Sequence, residues 1–291
     1  RFWHQNKNQI IKVLAVIVFI FLVIQVINLI MRKQNDKKID DAKKVENQVT
    51  NVNNENNKGL VSEKSAVTGQ EVSKSELKKS TNVIYSFVKY CNDKDLENAY
   101  NLLTEDCKQA MYNSLDSFNQ AYYRNVFNGQ KKNCTIENWV GDIYKVNLTD
   151  DILATGKDTG YSKQDYMTVE QIDGDYKLNI NNYIGHTDIN KTTTNDNITI
   201  QVISKDTYMD EEEYTIKVTN KNDEVLQLDT VNSAKSLYLE DSKGGKYSYY
   251  NHELTDQTLA VESGQTKELK IKFYSSYVST KNINYMVFSN M

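Results

Sequence analysis

The sequence predicts a chain tied to a membrane by one helix, followed by an α+β fold and then an all-β fold. Three observations support this. Ile10–Met31, IIKVLAVIVFIFLVIQVINLIM, is an apolar run long enough to cross a bilayer once. From Ser75 apolar residues recur at three- and four-residue spacing, and after Asn128-Gly129 the period switches to alternation. From Asn197 onward only short alternating runs remain, separated by turn residues.

The anchor comes first. Val13 to Ile24 carries no polar side chain, and Lys12 lies where its stem can snorkel to the interface. Gln25 and Asn28 fit two readings: seats near the outer interface, or contacts with another transmembrane helix through their amides. The run exceeds the roughly 7–15 residues of a signal-peptide core, no small-residue cleavage site follows it, and the first cysteine is Cys91. The expectation is a retained signal anchor. Residues 1–9 are then a cytoplasmic tail and the bulk of the chain is extracytoplasmic. Arg32, Lys33, Lys37 and Lys38 after the span argue against that orientation by charge count, but long C-terminal domains translocate largely regardless of nearby charge.

Residues 32–74 read as a polar linker, partly helical or disordered, because the stretch has no aromatic residue and little apolar surface to offset chain entropy. Leu77, Thr81, Ile84, Val88 and Cys91 then form one face of a helix that Ser73 or Ser75 could cap. Leu96–Leu103 is a second helix. Thr104 looks like the cap of a third over Glu105–Tyr112, and Ser114–Phe127 forms a fourth. Strands follow at Cys134–Val140, Ile143–Thr149, Tyr166–Ile172 and Tyr176–Ile180. Asp173-Gly174 is a hairpin signal, and one more short strand is expected near Ile152–Thr155.

The run from Val88 to Asp106, VKYCNDKDLENAYNLLTED, resembles the opening helices of the nuclear-transport-factor-2-like superfamily, and Gly174-Asp-Tyr-Lys-Leu178 resembles its closing strand, with Tyr176 where Trp is usual. The resemblance covers about 75–183. It implies a curved sheet wrapped by helices into a cone. Tyr122, Tyr123, Trp139 and Tyr144 are the candidates to line a pocket in such a cone. Large aromatics dominate cores as well, and that reading stands beside the first.

Residues 184–196 read as a second polar linker with His186 solvated in it. Within 197–291, the alternating runs at Ile198–Val202, Tyr214–Val218, Leu269–Phe273 and Ile283–Phe288 predict a β-sandwich. The "D-x-x-G-x-x-Y" hairpin at Asp241 and the strand from Leu269 to Phe273 resemble immunoglobulin-like domains of Gram-positive surface proteins, though the antibody Cys…Trp…Cys core is missing. Asp210–Glu213 reads as a solvated acidic loop, since it lacks calcium-loop spacing. Tyr247–Tyr250 is either an exposed aromatic patch or one buried tyrosine with edge neighbours.

Chemistry has few candidates. The histidines, His4, His186 and His252, are scattered, and no hydrolase, zinc, phosphate-loop or dinucleotide fingerprint is present. Cys91, Cys107 and Cys134 lack zinc spacing and read as small buried hydrophobes, with a Cys91–Cys107 bridge the alternative. No catalytic, metal or cofactor site is expected. The net charge of −4 argues against nucleic acid. The absence of proline and the abundance of Asn, Lys, Ile and Tyr associate with AT-rich, low-GC Gram-positive genomes.

Tail, span, spacer and cone-shaped domain together resemble, in layout only, the scaffold subunit of type IV secretion channels and its Gram-positive conjugation counterparts. The expectation is a non-catalytic envelope scaffold whose partners are the lipid bilayer and other proteins of a membrane complex, a second copy of the chain among them. The alternatives are a ligand-binding or sensing module that uses the cone's pocket and, behind both, an enzyme with a carboxylate base inside the cone.

Overall fold

A computed structural model of the chain describes residues 60–156, 159–233 and 236–289. The fold is mixed α and β, and mostly β. The expected anchor at Ile10–Met31, with Gln25 and Asn28, lies outside the described residues, as does most of the 32–74 stretch. Among the described residues no helix is long and apolar enough to cross a membrane.

The helices open the first lobe. Helix α1, Lys74–Asn92, starts at Ser73, whose hydroxyl accepts the Glu76 amide at 3.3 Å. Glu76 also complements the helix dipole in the first turn. Leu77, Ile84, Phe87, Val88 and Cys91 bury one face. Helix α2 is Leu96–Asn101 and α3 is Glu105–Met111, capped by Thr104. Helix α4, Leu115–Phe118, runs through a π turn at Asn119–Tyr123 into α5, Arg124–Val126. The wider turn lets two consecutive tyrosines face inward. Tyr122 stacks on Phe118 at 5.7 Å and Tyr123 on Phe127 at 5.8 Å.

These helices cover a five-stranded sheet in sequence order: β1 (Leu60–Ser62), β2 (Lys132–Val140), β3 (Ile143–Asp150), β4 (Ser162–Ile172) and β5 (Asp175–Asn179). Strand β1 is parallel to β2, and the remaining pairs are antiparallel. The end of the expected linker is therefore structured. Its composition is polar, but β2 offers carbonyls at an open edge: Ala66 N–H donates to Asn138 O at 2.8 Å and Val67 N–H to Trp139 O at 3.2 Å. The short strand expected at Ile152–Thr155 is instead a helical turn, α6. Asp151 caps it and Gly156, in the left-handed region at φ 65°, ends it. Leu153 stays 99% exposed, so its apolar character builds no strand.

A second correction concerns residues 184–196. They are not a linker but most of a long strand, β6 (Tyr183–Asn195), paired antiparallel with β7 (Ile198–Tyr208). Threonines at 192–194 suit a strand, and Asp196, at φ 47°, supplies the tight turn. Strand β6 leaves the first core at Tyr183, which is fully buried.

In the second lobe β6 and β7 continue a four-stranded sheet with β8 (Glu212–Asn220) and β13 (Thr266–Phe273). A three-stranded sheet joins β10 (Leu237–Asp241), β11 (Lys246–Ser248) and β14 (Ile283–Phe288), and β9 (Leu226–Gln227) pairs with β12 (Ala260–Val261). One buried cluster draws on all three: Ile216 and Phe273, Leu237 and Leu239, and Val261. Tyr249 is buried there at 1% exposure, while Tyr247 and Tyr250 are half-buried.

Candidate functional site

The four aromatic residues singled out in the sequence do not gather around an opening. Tyr122 and Tyr144 are each 1% exposed within the first core, and Tyr123 is also buried. Tyr122 packs among Phe87, Phe118 and Tyr112, with ring centroids 5.7–6.1 Å away. Trp139 is half-buried and meets Tyr166 edge-on at 5.4 Å. The interior of the first lobe is filled by its own side chains.

Inside it sits one carboxylate. Asp165 accepts the Tyr122 hydroxyl at 3.0 Å and the amides of Asn181 and Asn182 at 3.1 and 3.0 Å. Burial pushes its acid up, opposed by Lys163, the two amides and Tyr122. Asn181 and Asn182 are both left-handed, at φ 59° and 66°, so this carboxylate fixes the corner from which β6 departs. Cys91 and Cys107 are free thiols, 1% and 0% exposed, and burial pushes the Cys107 thiol up to about 12.

The charged groups converge elsewhere, in a cleft of about 350 Å³ between the lobes. Strand β4 contributes Glu170, β6 His186, β7 Lys205, β8 Glu212, and the β13–β14 loop Lys281. His186 Nδ1 lies 2.9 Å from Asp206 Oδ1, which also accepts the Tyr183 hydroxyl at 2.8 Å. Its Nε2 lies 3.4 Å from Asp188. Both ring nitrogens thus face carboxylates. Burial alone would lower the imidazole, but Asp206, then Asp106 and Asp188, raise it overall. His186 is therefore a paired strand residue and not a solvated loop residue. The register that sets His186 opposite Asp206 follows from β6, which the sequence reading had missed.

The acidic run 210–213 is corrected too. Glu212 is 2% exposed. One oxygen meets Lys205 Nζ at 2.9 Å, and the other accepts the Ser275 hydroxyl at 2.8 Å and lies 3.9 Å from Lys281 Nζ. The available signal was its alternation with Tyr214, Ile216 and Val218, the inward face of β8. Lys281 donates to Ser275 Oγ and Ser276 O, each at 2.6 Å, and desolvation lowers its ammonium despite Glu212.

Glu170 accepts the Asn179 amide at 2.6 Å, and Asn179 in turn accepts the Thr104 hydroxyl at 2.5 Å. Burial and the charges of Asp106 and Asp142 raise the Glu170 acid, against the pull of that amide bond. Among the described residues no group of three or more His, Cys, Asp or Glu side chains is arranged to hold a metal ion. Taken together, the cleft can hold and orient charge. Its imidazole is tied at both nitrogens, which suits positioning more than proton transfer. No protein-family model, curated protein or solved structure matches this chain.

Proposed function

We propose that this chain is a non-catalytic, membrane-anchored interaction protein of a Gram-positive cell envelope, with residues 10–31 as its single span and both lobes extracytoplasmic. The observation that supports it best is the filled interior of the first lobe. Tyr112, Phe118, Tyr122 and Tyr144 occupy the space that a substrate would need, and Asp165 is fully engaged by Tyr122 and two backbone amides. What remains for function is the outer surface and the cleft between the lobes. A subunit of a conjugation channel is the specific form of this reading, and it rests on layout alone.

Chemical crosslinking in native membranes tests it. The expected result is a higher-mass adduct with a second envelope protein or a second copy. Recovery of monomer alone overturns it. A protease added to intact cells is expected to digest residues 60–289.

A second reading, ligand binding or sensing, is favoured by the charged cleft. It moves the binding site from the interior of the first lobe to the junction.

A further inference from the structure

The cleft between the lobes is lined by charges of both signs that do not pair one to one. On the second-lobe side, Lys205 and Lys281 share one carboxylate, Glu212, at 2.9 and 3.9 Å. Two ammonium groups against one buried carboxylate leave one positive charge over. Asp241 also acts on Lys281, but its own oxygens accept the Tyr247 hydroxyl and the Lys243 and Gly245 amides. On the first-lobe side, Glu170 has an amide donor, Asn179, and no ion-pair partner among the described residues. Its charged neighbours there are Asp106 and Asp142, both of its own sign. His186 does not supply the missing cation, since Asp206 and Asp188 engage it at 2.9 and 3.4 Å.

A half-buried carboxylate without a cation is costly, and so are two half-buried ammonium groups that must share one carboxylate. A single ligand bearing both charges relieves both. The opening holds about 350 Å³, near the lower end of the roughly 300–1,000 Å³ typical of ligand sites. It also lies at a junction of lobes, where such sites concentrate.

We propose that the interlobe cleft binds a small zwitterion, an amino acid or a short peptide with free ends, its ammonium on Glu170 and its carboxylate at Lys205 and Lys281. The site deepens the ligand-binding reading and does not depend on the envelope-scaffold reading. Crosslinking decides the scaffold and titration decides the cleft, so each can fail alone.

The test is titration calorimetry of the full chain in detergent with three probes: alanyl-alanine, its N-acetyl form and its C-terminal amide. The free dipeptide is expected to bind, and each cap to weaken binding about ten-fold or more, because a charge-assisted contact is lost. In Glu170→Gln, free and N-acetylated dipeptides are expected to bind alike while the amide stays weaker. In Lys205→Gln, the discrimination against the amide is expected to shrink instead. Equal binding of all three probes to the natural chain, or no binding of any at millimolar concentration, overturns the proposal without recourse to a variant. Melting curves of both variants report whether the fold is retained.

Discussion

Replacing Asp165 with alanine strikes a fully buried carboxylate inside the first lobe. The side chain is fully buried and accepts three hydrogen bonds at 3.0–3.1 Å. Removing it leaves the Tyr122 hydroxyl and the Asn181 amide without an acceptor in a packed interior, while the Asn182 amide keeps only its bond to the Tyr166 carbonyl at 3.2 Å. Each stranded donor costs about 1–3 kcal/mol, and dismantling one partner of a buried polar network typically costs about 3–5 kcal/mol in all. The Asn181-Asn182 corner adds to this, because both residues sit at positive φ and the bonds to Asp165 help hold them there. We therefore expect about 4 kcal/mol, a large share of the roughly 5–15 kcal/mol of a whole domain. With a urea m-value of about 2–3 kcal/mol per molar, the midpoint falls by about 1.5–2 M. Far-UV circular dichroism against urea reads this directly. Tyr122→Phe alone is expected to cost about 1–2 kcal/mol, and the double variant about 1 kcal/mol less than the sum, since the hydroxyl has already lost its acceptor. A midpoint shift under about 0.5 M, or strict additivity, would refute the reasoning.

Two other expectations concern the junction. Glu212→Leu strands Lys205 and Lys281 and is expected to cost about 3–5 kcal/mol; adding Lys281→Met should return at least about 1 kcal/mol, measured by the same denaturation. His186 has a folded-state pKa above its unfolded value, so its contribution is complete below about pH 6.5 and is lost as pH rises through the folded value. Melting temperatures between about pH 5.5 and 8.5 should therefore fall more steeply for the natural chain than for His186→Gln, and parallel curves would contradict the pairing.

Local signals in the sequence were legible where one residue decides the outcome. Ser73 and Thr104 cap helices, Asp173-Gly174 turns a hairpin, and Ile283–Phe288 is an edge strand, though Met286 and Phe288 rather than Tyr285 and Val287 pack on the core. The losses came where pairing across the chain decides. Residues 60–72 and 184–196 are too polar to be read as strand or strap, yet backbone hydrogen bonds to β2 and β7 need no apolar side chain. The opposite error occurred at Ile152–Thr155, where two apolar side chains suggested a strand and a pair of caps made a turn of helix. The candidate site was misplaced for a related reason. Aromatic residues mark cores and pockets alike, so Tyr122 and Tyr144 drew attention inward. The groups that do converge, Glu170, His186, Lys205, Glu212 and Lys281, are spread over more than a hundred positions; strand register aligns His186, Lys205 and Glu212, and tertiary packing brings Glu170 and the loop residue Lys281 to them.

The ribbon of β6 and β7 also limits how such a chain can be rearranged over evolutionary time. Thirteen residues at about 3.3 Å each make a stiff element some 40 Å long, rooted in one core at Tyr183 and forming the outer margin of the other lobe's sheet. A recombination break at 184–196 would not release a portable cassette. It would strip Ile198, Ile200 and Val202 of their neighbouring strand and leave an aggregation-prone border. The two halves are thus expected to be inherited as a pair, and swaps that survive selection should fall before β1 or after β14.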